Sequence, residues 1–137
     1  MKAAKPLGIA AGISLLFAVG HTAGGIKLWS PMGDNGVLHM MTVTHFQTMG
    51  VNRSYLDFYM GFGWSLTIAG LLQSFLLWQM ARIAARGDCH FLKPMIGAFA
   101  LASLASAGVA GLYLFPIPAI FCGVLFLPLA AAYFAAD

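Results

Sequence analysis

The chain has 137 residues, of which 61% are hydrophobic and 8% are charged, and its formal net charge is +3. An average soluble domain is about 25% charged, so this composition excludes an ordinary water-soluble globule, and its hydrophobicity excludes a disordered chain. With seven Lys and Arg residues in total, the chain lacks the clustered basic residues of a nucleic-acid-binding face, and we expect no nucleic-acid partner. The composition indicates an integral membrane protein, and we expect the lipid membrane to be its partner.

Four apolar stretches are each long enough to cross a hydrocarbon core about 30 Å thick, which takes about 20 helical residues. The stretches are continuously apolar rather than alternating, which favours helices over the strands of a β-barrel. The sequence therefore predicts an all-α protein, with a single membrane domain (residues 1–137) folded as an antiparallel four-helix bundle. The predicted spans cover residues 7–29, 58–80, 95–115 and 117–134.

The basic residues predict the direction in which the spans cross the membrane. Five of the seven basic residues fall on one side of the predicted membrane: Lys2, Lys5, Arg82, Arg86 and Lys93. By the positive-inside bias, both termini are then cytoplasmic and the long connection after the first span faces outward. In an alternative interpretation the N-terminus is a secretory signal that is cleaved after Gly20, which would leave three helices.

His21 lies in the first span, about 20 Å from its cytoplasmic end at 1.5 Å per residue. An ionisable residue inside a membrane span is a candidate functional residue. Two interpretations remain open for it. Neutral His21 hydrogen-bonds a neighbouring hydroxyl or carbonyl and is purely structural, or it acts as an acid, a base or a proton carrier.

The sequence of residues 34–50 predicts that this segment forms a short amphipathic helix outside the membrane. Asp34 or Asn35 is a suitable N-cap, and the segment from Val37 to Met49 contains no Pro or Gly that would end a helix. Its apolar residues indicate that it lies at the membrane interface or folds over the mouth of the bundle. Two histidines and two methionines of this segment are also acceptable copper ligands, although methionine is an ordinary filler of apolar gaps and no metal is expected: His39, His45, Met40 and Met41.

The start of the second span carries further polar side chains. Arg53 and Asp57 are four residues apart and can form an ion pair if the helix begins this early. They and Tyr59 form either an interfacial anchor or a mouth in which Arg53 holds an anionic head group. Further along, small residues recur at helical spacing and predict a face against which another helix packs closely: Gly63, Thr67, Gly70 and Ser74. The candidate ligand-binding residues are therefore His21, His45, Arg53, Asp57 and Tyr59, and His21 and Asp57 are the catalytic candidates.

Two segments together carry a resemblance to a group of known proteins. HTAGG at His21–Gly25 and NRSYLDFYMGFGW at Asn52–Trp64 resemble segments of small uncharacterised four-helix membrane proteins of bacteria. The resemblance covers the first 80 residues. It implies a bacterial inner-membrane location and carries no assigned activity.

Three functions agree with these features. The favoured one is a non-catalytic protein that binds a lipophilic molecule or a lipid, or serves as an accessory subunit of another membrane protein. An alternative is a membrane enzyme that acts on a lipid or quinone, in which His21 is the acid or base, Asp57 orients it and Arg53 holds an anionic group. A second alternative is a dimeric transporter of a small solute or proton in which His21 titrates. The sequence indicates no cofactor, and a homo-oligomer remains open.

Overall fold

The computed structural model describes residues 2–87 and 89–136, with the side chain of His90 excepted. These residues form five α-helices, one two-stranded sheet and a short 3-10 turn at His90–Leu92. The elements in chain order are α1 (Ala4–Gly25), α2 (Gly36–Val43), β1 (His45–Thr48), β2 (Val51–Ser54), α3 (Tyr55–Ala85), α4 (Lys93–Tyr113) and α5 (Pro116–Phe134).

Four of the helices, α1, α3, α4 and α5, are long and apolar enough to cross a membrane. This confirms the prediction of four apolar helices in an all-helical protein. α3 has 31 residues and is therefore about 46 Å long at 1.5 Å per residue. It is longer than the hydrocarbon core of a bilayer. The predicted second span, residues 58–80, lies within α3 and stops short of both its ends. Large apolar side chains point outward along these helices, such as Leu101 and Leu127, which are 68% and 64% exposed.

By their contacts, the described residues group into two compact units, one of which consists of residues 1–17 and 71–137. Its core is built from large aliphatic side chains interleaved with alanines. The fully buried large residues are Leu7, Leu77, Leu92, Ile96 and Leu129. Two buried hydroxyl groups in this unit donate to backbone carbonyls, Ser74 to Ala11 at 2.9 Å and Ser103 to Cys122 at 2.7 Å. Hydroxyls can therefore be buried here without a ligand.

The second unit, residues 18–70, contains the end of α1, the outer connection and the start of α3. α2 begins as predicted, because the Asn35 side-chain oxygen accepts hydrogen bonds from the backbone N–H groups of Val37 and Leu38 at 2.9 and 3.1 Å. The predicted continuation of this helix to Met49 is wrong, since α2 ends at Val43. An antiparallel hairpin follows, in which His45 pairs with Ser54.

The hairpin replaces the predicted helix because of its turn chemistry and its β-branched residues. Met49 and Gly50 connect the strands with φ angles of 50° and 78°. Two successive residues with positive φ form the tight turn that matches the twist of a two-stranded sheet, and glycine at the second position favours it. Thr42 and Val43 at the end of α2 and Thr44 after it are β-branched and have low helix propensity, which favours the end of the helix at this point.

Candidate functional site

The end of α1 turns back on itself and places Trp29 against the helix it has just left. The backbone N–H of Trp29 donates to the Gly24 carbonyl and the backbone N–H of Leu28 donates to the Gly25 carbonyl, both at 3.0 Å. This pair of bonds is the Schellman arrangement that closes many helices, and its left-handed position normally holds glycine. Here that position holds Leu28 with φ 55°, and Trp29 follows with φ 46°. Left-handed backbone at a non-glycine residue costs about 1–2 kcal/mol, so other interactions must stabilise this turn.

The Trp29 indole supplies those interactions by filling a slot between α1 and α3. A Cβ atom at Gly25 would lie 2.7 Å from Trp29 Cζ2, and one at Gly63 would lie 2.7 Å from Trp29 Cη2. A Cβ at Gly24 would lie 3.0 Å from Trp29 Cδ1. The ring of Trp64 completes the slot with an edge-on contact at a centroid distance of 5.2 Å. The indole therefore fits only because three of its neighbours are glycines.

His21 is part of the same slot. Its imidazole stacks on the Trp29 indole with ring centroids 5.0 Å apart, and its backbone carbonyl accepts a hydrogen bond from Trp29 Nε1 at 2.7 Å. Its Nε2 lies 3.0 Å from the carbonyl oxygen of Gly63. A carbonyl can only accept, so Nε2 carries the proton in this hydrogen bond. His21 thus joins α1, α3 and the Trp29 turn. Its hydrogen bond to the Gly63 carbonyl is the kind of contact expected for a structural histidine.

The small-residue face of α3 meets α1 next to this slot. The Thr22 hydroxyl donates to the Ala18 carbonyl at 2.7 Å and lies 3.4 Å from the Thr67 hydroxyl. A Cβ added at Gly70 would lie 3.2 Å from the Ala18 Cβ. At Thr67 and Gly70 the predicted small-residue face of α3 therefore lies against α1, whereas Gly63 makes room for the Trp29 indole.

Tyr59 connects α3 to the other side of the turn. Its hydroxyl donates to the Trp29 carbonyl oxygen at 3.0 Å. Of the five predicted ligand-binding residues, His21 and Tyr59 are thus brought together, and they meet at Trp29. Trp29 is a residue of this site that was not predicted from the sequence. The signal that could have identified it is the glycine spacing, since Gly24, Gly25 and Gly63 all lie in segments that the resemblance singled out.

Asp57 performs a different task at the start of α3. The Ser54 N–H donates to Asp57 Oδ2 at 2.9 Å, and the Asp57 N–H donates to the Ser54 hydroxyl at 3.0 Å. This reciprocal pair is a capping box, which satisfies backbone donors at the helix start. His21 is bonded to Gly63, which lies six residues beyond Asp57, or about 9 Å along the helix axis. The structure therefore does not bring Asp57 to His21 in the orienting position that the enzyme alternative requires.

Arg53 does not share a helix with Asp57, and the prediction of a helical i,i+4 pair is wrong. Arg53 lies in β2, opposite Phe46, and its Nη1 donates to the Asn52 carbonyl at 3.2 Å. Arg53 and Asp57 do not share a helix because α3 begins only after Ser54, the residue that forms the capping box with Asp57. Arg53 still acts electrostatically on Asp57, so the two charges remain neighbours across the strand-to-helix junction.

The copper candidates fall in separate elements. His39 is in α2 with Met40 and Met41, whereas His45 is in β1, where its Nδ1 lies 3.0 Å from the Val43 carbonyl. Within residues 2–87 and 89–136, no group of three or more His, Cys, Asp or Glu side chains is placed so that it could hold a metal ion.

A cavity of about 690 Å³ lies between the Trp29 turn and α2. Its walls are mainly apolar, and Tyr59 is the one predicted ligand-binding residue among them. The lining residues are Leu28, Trp29, Ser30, Pro31, Met32, Asn35, Gly36, Val37, Leu38, Met41 and Tyr59. We refer to this space as the Trp29 cavity. Of the predicted amphipathic segment, α2 supplies Gly36, Val37, Leu38 and Met41 to the lining.

Comparison of the chain with protein-family models, with curated proteins and with solved structures finds no match.

Proposed function

We propose that this chain is a non-catalytic integral membrane protein of the bacterial inner membrane that binds a lipophilic molecule in the Trp29 cavity. The observation that carries this proposal is the cavity itself, with its volume of about 690 Å³ and its apolar walls. Ligand pockets commonly enclose about 300–1,000 Å³ and combine apolar walls with a few polar groups. Here Leu28, Val37 and Met41 supply apolar surface, and Ser30 and Asn35 are polar residues in the wall.

The hydrogen bonding of the two catalytic candidates supports binding rather than catalysis. A general acid or base must reach the proton that it transfers. The Nε2 proton of His21 is directed at the Gly63 carbonyl, and the Asp57 carboxylate accepts from the Ser54 backbone. A catalytic cycle that used the Nε2 proton of His21 would have to break a hydrogen bond between α1 and α3, and Asp57 caps the start of α3 instead of orienting His21.

A pair of matched substitutions in α2 tests the cavity. Met41 lines it, whereas the neighbouring Met40 does not and is 58% exposed. We expect Met41→Trp to fill the cavity and to lower the amount of any co-purified non-protein molecule at least about tenfold, because a large ring excludes a ligand from an apolar pocket. Met40→Trp should retain it. The measurement is native mass spectrometry of protein extracted gently from its own membrane.

Two results would contradict the proposal. One is a wild-type chain that carries no discrete non-protein mass, which would favour the accessory-subunit alternative if another polypeptide accompanies it. The other is an equal loss of ligand in Met40→Trp and Met41→Trp, because that would place the binding site outside the Trp29 cavity.

We further propose that the four apolar helices cross the membrane as an antiparallel bundle with both termini in the cytoplasm. Two contacts support this orientation. The Arg82 guanidinium lies 5.0 Å from the ring centre of Trp78, and the Lys93 ammonium lies 5.1 Å from that of Tyr133. Basic residues beside Trp and Tyr are typical of helix ends at the membrane interface, and an excess of basic residues marks the cytoplasmic side.

Cysteine labelling in intact cells tests the orientation. The native Cys89 and Cys122 are first replaced by serine. In that background we expect Met49→Cys, at a hairpin position that is 98% exposed, to react with a membrane-impermeant maleimide from outside. Ala85→Cys at the end of α3 should react only after the membrane is permeabilised. The reverse pattern would place the termini on the outer side.

A further inference from the structure

A groove on α3 begins where β2 ends, and it encloses about 360 Å³. Its lining residues are Arg53, Asp57, Phe58, Gly61, Phe62 and Ser65. None of them lines the Trp29 cavity, so an inference from this groove stands apart from the proposed function. The end of the groove near β2 carries one cationic and one anionic side chain, and the rest of it is lined mainly by aromatic and small residues.

The two charged side chains keep most of their hydrogen-bonding capacity. A guanidinium has five N–H donors, and Arg53 directs Nη1 at the Asn52 carbonyl. A carboxylate has about four acceptor positions, and Asp57 uses one oxygen for the Ser54 N–H. Neighbouring groups of opposite charge complement a ligand that carries both a phosphate and an ammonium group. The Asp57 carboxylate would repel a head group that has only negative charge.

The remainder of the groove runs along an exposed face of α3. Phe58 and Phe62 are 55% and 64% exposed, and their rings make an edge-on contact at 4.9 Å. A Cβ atom added at Gly61 would meet nothing within 4 Å, so the backbone there is open to the surroundings. The Ser65 hydroxyl donates to the Gly61 carbonyl at 2.8 Å. Because α3 is apolar enough to span a membrane, an apolar chain is the occupant that suits this strip.

We propose that the groove binds a phospholipid whose head group is phosphoethanolamine. Arg53 binds the phosphate, Asp57 accepts hydrogen bonds from the ammonium group, and an acyl chain lies along Gly61 against the outer surface of the Phe58 and Phe62 rings. A choline head group has the same charges but no N–H donor for Asp57, and a glycerol head group has no cation. The groove should therefore prefer phosphatidylethanolamine over phosphatidylcholine and phosphatidylglycerol.

Competitive lipid binding tests this preference. The full chain in detergent is mixed with equal amounts of the three phospholipids, all carrying the same acyl chains, and bound lipids are counted by native mass spectrometry. We expect the wild type to bind phosphatidylethanolamine about threefold better than phosphatidylcholine, which corresponds to the net contribution of one hydrogen bond. Asp57→Asn should remove the preference, and Arg53→Gln should weaken binding of all three lipids. Equal binding of the three lipids by the wild type, or a preference that survives Asp57→Asn, would overturn the proposal.

A second variant keeps the test independent of helix capping. The side-chain oxygen in Asp57→Asn can still accept from the Ser54 N–H, so this variant keeps the helix cap. Gly61→Leu leaves both charges in place while it fills the groove. Gly20 is the matched control, since a Cβ there also meets nothing within 4 Å. Gly61→Leu should lose the lipid preference and Gly20→Leu should keep it. Met41→Trp should also keep it, so that failure at the Trp29 cavity and failure at the groove give different results, and a preference retained in Gly61→Leu would exclude this groove.

Discussion

Replacing Trp29 with alanine is expected to lower the free energy of unfolding by about 3 kcal/mol, the lower end of the range for truncating a packed aromatic residue. The indole occupies a slot between three glycines and donates a 2.7 Å hydrogen bond to the His21 carbonyl. Alanine would leave that slot empty and would remove the ring that stacks on His21. It would also leave the left-handed backbone at Leu28 without the packing that offsets its cost.

Trp78→Ala is the control for this experiment. Trp78 is 47% exposed, and Arg82 contacts its ring at 5.0 Å. We expect a loss of about 1 kcal/mol or less, the size of an exposed cation–π contact. Both variants are compared with wild type by thermal denaturation in detergent, followed by far-UV circular dichroism. If the two variants lost equal stability, the Trp29 slot would have no special part in holding the fold together.

The Trp29 slot also explains why two sequence segments stand out. HTAGG at His21–Gly25 supplies the stacking imidazole and two of the three glycines. NRSYLDFYMGFGW at Asn52–Trp64 supplies the third glycine, the Tyr59 hydroxyl and the Trp64 ring. Both segments are therefore walls of one packing site, and close packing against Trp29 is enough to account for Gly24, Gly25 and Gly63. A catalytic role for His21 is not needed to explain why the segments contain them.

Much of the fold could be predicted from local sequence. The four long helices follow from continuous apolar stretches, since hydropathy reports directly on membrane-spanning length. The N-cap at Asn35 follows from a side chain that can bond the helix's first N–H groups. The close approach of α1 to Thr67 and Gly70 follows from small residues at helical spacing. Each of these features depends on a pattern that lies within a single element.

The features that were missed depend on contacts between elements or on unusual backbone. Leu28 and Trp29 adopt positive φ angles, which side chains of their type rarely do, so no local rule places Trp29 back against His21. The hairpin with its turn at Met49 and Gly50 was not predicted, because the apolar residues of this segment also suit an amphipathic helix. Arg53 was considered a possible part of the helix because the capping box of Ser54 and Asp57, which fixes where α3 begins, was not recognised.

Gly63→Ala is expected to lower the free energy of unfolding by about 2 kcal/mol, within the range for overpacking a filled site. A Cβ atom at this position would lie 2.7 Å from Trp29 Cη2, which is closer than two carbon atoms can approach without displacement. The indole has little room to move, since Gly25 bounds it on α1 and its Nε1 is bonded to the His21 carbonyl. The added methyl group must therefore displace the ring or separate α3 from α1.

Gly20→Ala is the matched control, because a Cβ on this exposed helical glycine meets nothing within 4 Å. We expect it to be neutral or to stabilise the protein by up to about 1 kcal/mol, since alanine is the better helix former. Combining Gly63→Ala with Trp29→Ala makes the test specific. If the clash is with the indole, Gly63→Ala should cost nothing further once Trp29 is alanine, and the two losses should be strongly non-additive in thermal denaturation. Additive losses would show that the glycine is required for a reason other than Trp29.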